Sequence, residues 1–537
     1  MVKKWGASGH LWLALIVALG AGLRFWAIGA KTIWLDEAFS IWVAQHSVPE
    51  IVQWLVRIDQ HPPLYYMLLH YWIDAFGDLQ GAVRAFSAVC GTLAIPLFYA
   101  TGKAFYDAKV GLMAALILAV APFHVRFAQE TRMYALLTLA VVAALYFLAH
   151  VLRNPRAATW RWLGLAVAQA VIMLTHNTAT VYFPLALNFA LILIVLLQST
   201  ARIHAADLPA LENPAWVGFM RKWLLFQLLA LLIWSVWAWA FVVQARGVDA
   251  EFWIAPPTLD SILSTLHTLI LAHLPRWFPL YPLADLLFGA LAVYGVYGQR
   301  RQPGRAILLS VLFGAPILIA LGVSLRRPLF YDRTLIWVTL PLYLLMAVGI
   351  VQLRRQAGWS STSWRPRSVQ AACNAIMGQA HIGYWLSVGG ILMLSALALH
   401  SYYVYFHKED WDKAAAYVAA QTRPGDMIIF NATWVQLPFD YYFRHYERDV
   451  ELRGAPVDLF DRGVLEPKMT EADVPYMQQL IANRQRVWLV YSHEWYTDPQ
   501  HIVVRELMRT MQEADHQEFE GLQVLEFVKG STSTAAP

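Results

Sequence analysis

The sequence predicts an α-helical polytopic membrane domain over residues 1–405 followed by a small α/β domain over 406–537. Three observations carry this. Hydrophobic residues make up 58% of the 537-residue chain and charged residues only 14%, which excludes a soluble enzyme. The hydrophobic residues fall in blocks of about twenty, enough for a helix to cross a hydrocarbon core of roughly 30 Å. After Lys408-Glu409-Asp410 the composition changes, and helical and strand-like patterns alternate towards the end.

About eleven spans meet the length criterion. They lie roughly at 10–30, 82–102, 108–124, 133–152, 162–178, 180–199, 223–243, 283–299, 305–324, 334–353 and 384–404. The first, after Lys3 and Lys4, runs on through Ala30 without a small-residue cleavage site, so it reads as a transmembrane helix and not as a signal peptide. Threading the chain with Lys3 and Lys4 in the cytoplasm puts Lys103, Lys109, Arg153, Arg156, Arg161, Arg221 and Lys222 there as well. Arg300, Arg301, Arg305, Arg354 and Arg355 follow, so every cytoplasmic loop obeys the positive-inside rule. The net charge of +5 therefore reports orientation and implies no nucleic-acid partner. Cys90 lies in an apolar span and Cys373 in an expected cytoplasmic loop, so no disulfide framework is expected.

The same threading leaves outside the segment 31–81, the turns at Gln129-Glu130 and His176-Asn177, the loop 244–282, the turn 326–333 and everything after His400. Within 31–81, Ser47-Val-Pro-Glu50 is a capping box with proline in the first turn, which opens a short helix. His61-Pro62-Pro63 opens a second, whose Leu64, Met67, Leu68, Tyr71, Trp72, Ala75 and Phe76 share one face. Both read as interfacial helices lying on the membrane; the alternative, a true span at 62–79, would invert every later loop and put the arginine clusters outside. In the tail, Trp411–Gln421 has helical periodicity, Pro424-Gly425-Asp426 is a turn, and 427–430, 487–491 and 522–527 read as strands. The last residues, 530–537, are expected to lack structure.

The unusual polar residues gather on the external face. Asp36 and Glu37 sit where the first span leaves the membrane, a costly place for carboxylates unless they face water, a cation or a partner. They either mark the membrane exit or supply a general base where an acceptor hydroxyl meets an activated sugar phosphate. Gln129-Glu130-Thr131-Arg132-Met133-Tyr134 opens the fourth span, with Glu130 and Tyr134 on one helix face. There Glu130 and Arg132 are either plain helix-entry charges, or an acceptor-orienting or divalent-cation-holding carboxylate beside an anion-binding guanidinium. Arg333, with Arg326 and Arg327 nearby, is a candidate for gripping a phosphate through charge-assisted hydrogen bonds, with snorkelling to headgroups the alternative. His61 and His176 are weaker candidates for contact with donor or acceptor. The sequence has no phosphate-cradling glycine motif, internal repeat or Cys/His metal cluster.

Taken in order, Trp34-Leu35-Asp36-Glu37-Ala38, His61-Pro62-Pro63-Leu64-Tyr65-Tyr66, Phe76-Gly77, Arg84 with Gly91 and Pro96, and Gln129-Glu130-Thr131-Arg132-Met133-Tyr134-Ala135 resemble the bacterial family 39-like, protein-mannosyltransferase-related GT-C glycosyltransferases. The resemblance covers the first two hundred or so residues. It implies a GT-C fold with juxtamembrane helices in the first external loop, an external active site, a polyprenyl-phosphate-linked monosaccharide donor, and inversion at the anomeric carbon. By the same resemblance Asp36 is the base with Glu37 beside it, and His61 and the 129–134 stretch line the cavity. Two departures stand out: Thr131 replaces an expected alanine, and Tyr331-Asp332-Arg333-Thr334 matches only loosely the Arg-Tyr pair expected before a late span.

These readings together describe a multi-pass cell-membrane glycosyltransferase acting on the external or periplasmic side, with a lipid, polysaccharide or protein acceptor and no required cofactor beyond a conceivable divalent cation. The competing class is a lipid-linked-sugar transporter or flippase. That class would carry inverted repeats and Gly/Pro-broken helix pairs at the bilayer midplane, which the sequence lacks.

Overall fold

The computed structural model describes residues 4–59, 61–154, 156–200, 202–203, 206–212, 215–247, 256–275, 281–357, 367–459, 461 and 467–530. Lys3 and the 531–537 tail, on which two of the expectations fall, lie outside the described residues. The chain divides into two compact units. One comprises residues 1–26, 60–65 and 84–406, and the other 27–59, 66–83 and 407–537. Most of the 31–81 segment thus groups with the tail.

The first unit is helical. Among the described residues seven helices are long and apolar enough to cross a membrane: Gln80–Phe105, Tyr134–Arg153, Asn177–Ser199, Ala215–Ala245, Gly304–Ser324, Asp332–Arg355 and Ala380–Val404. A further pair, Ala108–Val120 and Pro122–Ala128, is bent by 60° and makes an eighth span only if the two helices are one crossing. The expected straight span over 108–124 breaks because Ala121 is extended and Pro122 begins a new helix at its first position, where proline's missing N–H costs nothing. The expected spans at 10–30, 162–178 and 283–299 fall on the helices Lys4–Phe25, Thr159–Met173 and Tyr281–Tyr297. Cys373 lies inside the helix Arg367–Val404 and not in a loop.

The second unit is built on a five-stranded sheet. Its strands are β1 (Met427–Asn431), β2 (Glu451–Gly454), β3 (Arg486–Tyr491), β4 (Gln512–Phe519) and β5 (Leu522–Val528), in the order β2-β1-β3-β5-β4. The β2, β1 and β3 strands run parallel, while β5 is antiparallel to both β3 and β4. Strands β1 and β3 are buried on both faces, and their alternate residues feed two cores. Ile428, Phe430, Trp488 and Val490 pack with Trp411, Val418 and Phe439, whereas Met427, Ile429, Val487 and Leu489 pack with Met477, Ile502 and Leu507. Strand β4 is largely exposed and bulges between Glu513 and Asp515.

The first-loop segments are bolted to this sheet domain by polar bonds. Thr32 Oγ1 donates to Glu409 O at 2.7 Å, Ile33 N to the Tyr442 hydroxyl at 2.7 Å, and Tyr441 Oη to Asp78 O at 2.8 Å. Arg444 pairs with Asp78 at 2.7 Å. The capping box is present: Glu50 Oε2 accepts from Ser47 N at 3.0 Å and from Ser47 Oγ at 2.6 Å, opening the helix Val48–Ile58. The second loop helix, Leu64–Phe76, has 13 residues, so at about 1.5 Å per residue it is too short to cross a bilayer.

Candidate functional site

Asp36 and Glu37 occupy the first turn of the helix Leu35–Ala44, where the helix N-terminus favours negative charge. They differ sharply in environment. Glu37 is fully buried and meets Lys408, itself 4% exposed, at 2.8 Å. The Lys408 ammonium also lies 5.5 Å from the centre of the Trp34 ring. Asp36 is half-buried, one residue nearer the start of the helix. Close to it lies Glu409, whose carboxyl burial and the Asp36 charge raise above the usual carboxylate range, against the opposing pull of His493. Asp36, Glu37, Lys408, Glu409 and His493 therefore form one cluster in the loop-and-tail unit.

The remaining candidates lie in the membrane unit. Pro122–Ala128 and the turn after it deliver the 129–134 stretch, every residue of which is buried. Glu130 is engaged by Arg126, one helical turn earlier, at 3.1 Å. Arg126 in turn lies over the rings of Phe127 and Phe406, at 5.1 and 4.7 Å from their centres. Gln129 is fully occupied by protein. Its Nε2 donates to Leu23 O, Arg24 O and Trp26 O at 3.2, 3.1 and 2.7 Å, capping the end of the helix Lys4–Phe25, and its Oε1 accepts from Tyr402 at 3.0 Å. That pattern supports a tie between segments more than a contact with ligand.

Around His176, which immediately precedes the helix Asn177–Ser199, four of the other candidates converge. His61 and Tyr134 place their rings 5.4 and 5.7 Å from the His176 ring. Burial, and then the neighbouring His61, Arg132 and Arg333, push the His176 imidazole well below the usual histidine range. The result is a neutral histidine among two guanidiniums and a second histidine, an arrangement suited to an anion. Arg333 lies 4.9 Å from the Tyr331 ring centre, and its backbone N–H is bound by the Asp332 carboxylate at 2.6 Å. Among the described residues no group of three or more His, Cys, Asp or Glu side chains is placed to hold a metal ion.

Sequence reasoning passed over Arg126 and Lys408. Arg126 was legible as a cation four residues before Glu130 on a short helix. Lys408 had no such signal, because its partner is 371 positions away. Arg24, a lone cation ending an apolar span, is likewise buried, donating to Gly20 O, Leu118 O and Ala119 O at 3.0 Å.

The fold agrees with that of solved GT-C enzymes. ArnT from Cupriavidus metallidurans in the apo state superposes with a TM-score of 0.62 at 14% identity, covering 97% of this chain and 98% of that one. The same protein bound to undecaprenyl phosphate gives 0.59 at 14% identity, covering 98% and 99%. The archaeal oligosaccharyltransferase AglB from Archaeoglobus fulgidus, in complex with an inhibitory peptide and a dolichol-phosphate, gives 0.54 at 10% identity, covering 100% of this chain and 75% of that one. Residues 60–208 match the family described as dolichyl-phosphate-mannose-protein mannosyltransferase. No curated protein sequence matches this one. The protein has the GT-C fold of these solved structures, and the match to the family model is confined to residues 60–208.

Proposed function

We propose that this protein is a membrane glycosyltransferase that moves a monosaccharide from a polyprenyl-phosphate carrier to an acceptor hydroxyl, with inversion. The observation that carries the reading is the packing of the His61 and Tyr134 rings against a buried His176, with the charges of Arg132 and Arg333 reaching that imidazole, in a unit of membrane-spanning helices. A lipid-linked donor needs its tail in the bilayer and its phosphate among cations, and these side chains supply the cations. Asp36 is the base. Half-buried and close to Glu409, it takes the acceptor's proton as the hydroxyl oxygen attacks the anomeric carbon. The anomeric C–O bond breaks, and the phosphate leaves with the electron pair, its charge held by Arg132 and Arg333. Glu37, closed into its pair with Lys408, holds the Asp36 helix in place. Glu130 serves the donor side indirectly, by fixing Arg126.

The polyprenyl-phosphate donor is supported by the undecaprenyl phosphate bound to ArnT and the dolichol-phosphate bound to AglB. The site faces the external side of the cell membrane, a placement supported by the basic cytoplasmic loops. In a background without Cys90 and Cys373, Arg448→Cys reacts with an impermeant thiol reagent in spheroplasts and Gln302→Cys does not; the reverse pattern would invert the topology. For the chemistry, transfer from a synthetic polyprenyl-phosphate sugar falls about 10²- to 10⁴-fold in Asp36→Asn while donor affinity stays at the parental value. Parental transfer by a folded Asp36→Asn protein would remove Asp36 as base.

A further inference from the structure

The loop-and-tail unit contains a cleft of about 420 Å³, of small-ligand size, lined by Glu409, Tyr491, His493, Glu494, Trp495, Glu518, Phe519 and Gln523. Its walls are built with some care. Gly521, in the turn joining β4 to β5, has φ +80, and a Cβ there would come within 2.6 Å of Glu409 Cγ, so only glycine lets the Glu409 side chain lie against this turn. Asp410 N donates to Glu520 O at 3.0 Å, which fixes the same junction. Beside Glu409, His493 holds a left-handed backbone with φ 56, its Nδ1 shares a hydrogen bond with Ser492 Oγ at 2.9 Å, and its Nε2 lies 3.7 Å from Glu409 Oε1. Trp495 follows two residues later and leaves 68% of its surface in water.

The lining combines acceptor oxygens with an exposed aromatic face. Carboxylates at Glu409, Glu494 and Glu518 accept paired hydrogen bonds from adjacent hydroxyls or an ammonium, and against them stands a single imidazole, His493. An indole face suits the C–H face of a sugar ring, and the acidic rim repels phosphate and carboxylate. The pair of Lys408 with Glu37, at 2.8 Å, ties Glu409, next to Lys408 in the chain, to the helix that carries Asp36.

We infer that this cleft is an acceptor subsite that binds a hydroxyl-rich saccharide, neutral or amine-bearing but not anionic, with Trp495 stacking on a ring and Glu494 and Glu518 reading its hydroxyl or amino groups. The inference rests on the glycosyl-transfer reading above and adds the acceptor's chemical class. It assigns acceptor choice to the tail domain and proton removal to Asp36.

The test uses the full-length protein in detergent, titrated calorimetrically with the trisaccharides of glucosamine, of N-acetylglucosamine and of galacturonic acid, and separately with undecaprenyl phosphate. The glucosamine trimer binds most tightly, the N-acetylated trimer more weakly, and the galacturonate trimer not at all. Trp495→Ala weakens the two bound trimers by about ten-fold and Trp495→Phe by less. The Glu494→Gln and Glu518→Gln variants lose the preference for the glucosamine trimer. No binding of any trisaccharide, or equal binding of all of them, overturns the subsite; if undecaprenyl phosphate binding and sugar transfer persist, the transferase reading survives. Trisaccharide binding that ignores Trp495 places the saccharide elsewhere and also overturns it. A parental protein that neither binds undecaprenyl phosphate nor transfers sugar defeats the transferase reading itself, and the acceptor assignment with it.

Discussion

Glu130 in the membrane unit and Glu37 in the loop-and-tail unit are both fully buried, and each is met by a cation, yet the two pairs are built in opposite ways. Glu130's partner, Arg126, is four residues away on the same turn and 22% exposed. Glu37's partner, Lys408, comes from the far end of the chain and is 4% exposed. A local pair forms as soon as its turn forms and organises little beyond it. The distant pair requires the loop and the tail to be folded together, so it reports assembly. A buried ion pair is weak evidence of net stabilisation, but opening one is costly because it strands a charge.

The largest effect is therefore expected at Lys408. Lys408→Met leaves the Glu37 carboxylate buried without its cation and costs about 3–5 kcal/mol, read as a lowered melting temperature of the detergent-solubilised protein. The double variant Glu37→Leu with Lys408→Met regains most of that loss; a double variant as unstable as the single one would mean that Lys408 acts through something other than this charge. Arg126→Met should cost less than Lys408→Met, since water can reach part of the site. Equal losses would erase the distinction between local and distant pairs.

Smaller effects follow at the phosphate side. Arg132→Ala and Arg333→Ala each weaken donor binding by about 1.5–3 kcal/mol, the worth of a hydrogen bond to a charged group, in a polyprenyl-phosphate binding assay. Unchanged donor affinity in both would remove the anion-binding role of the His176 cluster. The smallest change expected is at Ser47. Ser47→Ala opens the capping box and costs about 1 kcal/mol, measured as a modest drop in thermal stability with donor affinity unaltered.

What could be read from the sequence divides along the same line between local and distant. Long apolar runs gave helices wherever the pattern extended over a span, as at Tyr134–Arg153 and Gly304–Ser324. The strands expected at 427–430, 487–491 and 522–527 are present as β1, β3 and β5, because apolar β-formers fill them. Strand β2 has four residues and β4 reads Gln-Glu-Ala-Asp-His-Gln-Glu-Phe, so neither offers the alternation that marks a half-buried strand. The helix Leu35–Ala44 has Trp34 at its N-cap and no side-chain cap bond, so its start carries no local signal. Its neighbour in the sheet domain, the helix Gln436–Phe443, lies 400 positions further on, and no window on the sequence spans that distance. The GT-C resemblance rested on motifs scattered between Trp34 and Ala135, and it anticipated the fold that the solved structures share. Asn431-Ala-Thr433 has the form of an N-glycosylation sequon, and burial decides its fate. Asn431 is fully buried in β1, with Nδ2 donating to Ala455 O at 3.0 Å, so in the folded protein no glycan can reach it.

Strand β4 has a consequence for life in two dimensions. Proteins confined to a membrane meet one another far more often than they would in bulk solution, and an open strand is a template for a neighbour's strand. β4 ends the sheet with Glu513, Asp515 and Glu518 along it and a kink at the first two. A second copy approaching edge to edge at β4 would meet like charges and a broken ladder, so this edge is guarded against pairing with its own copy.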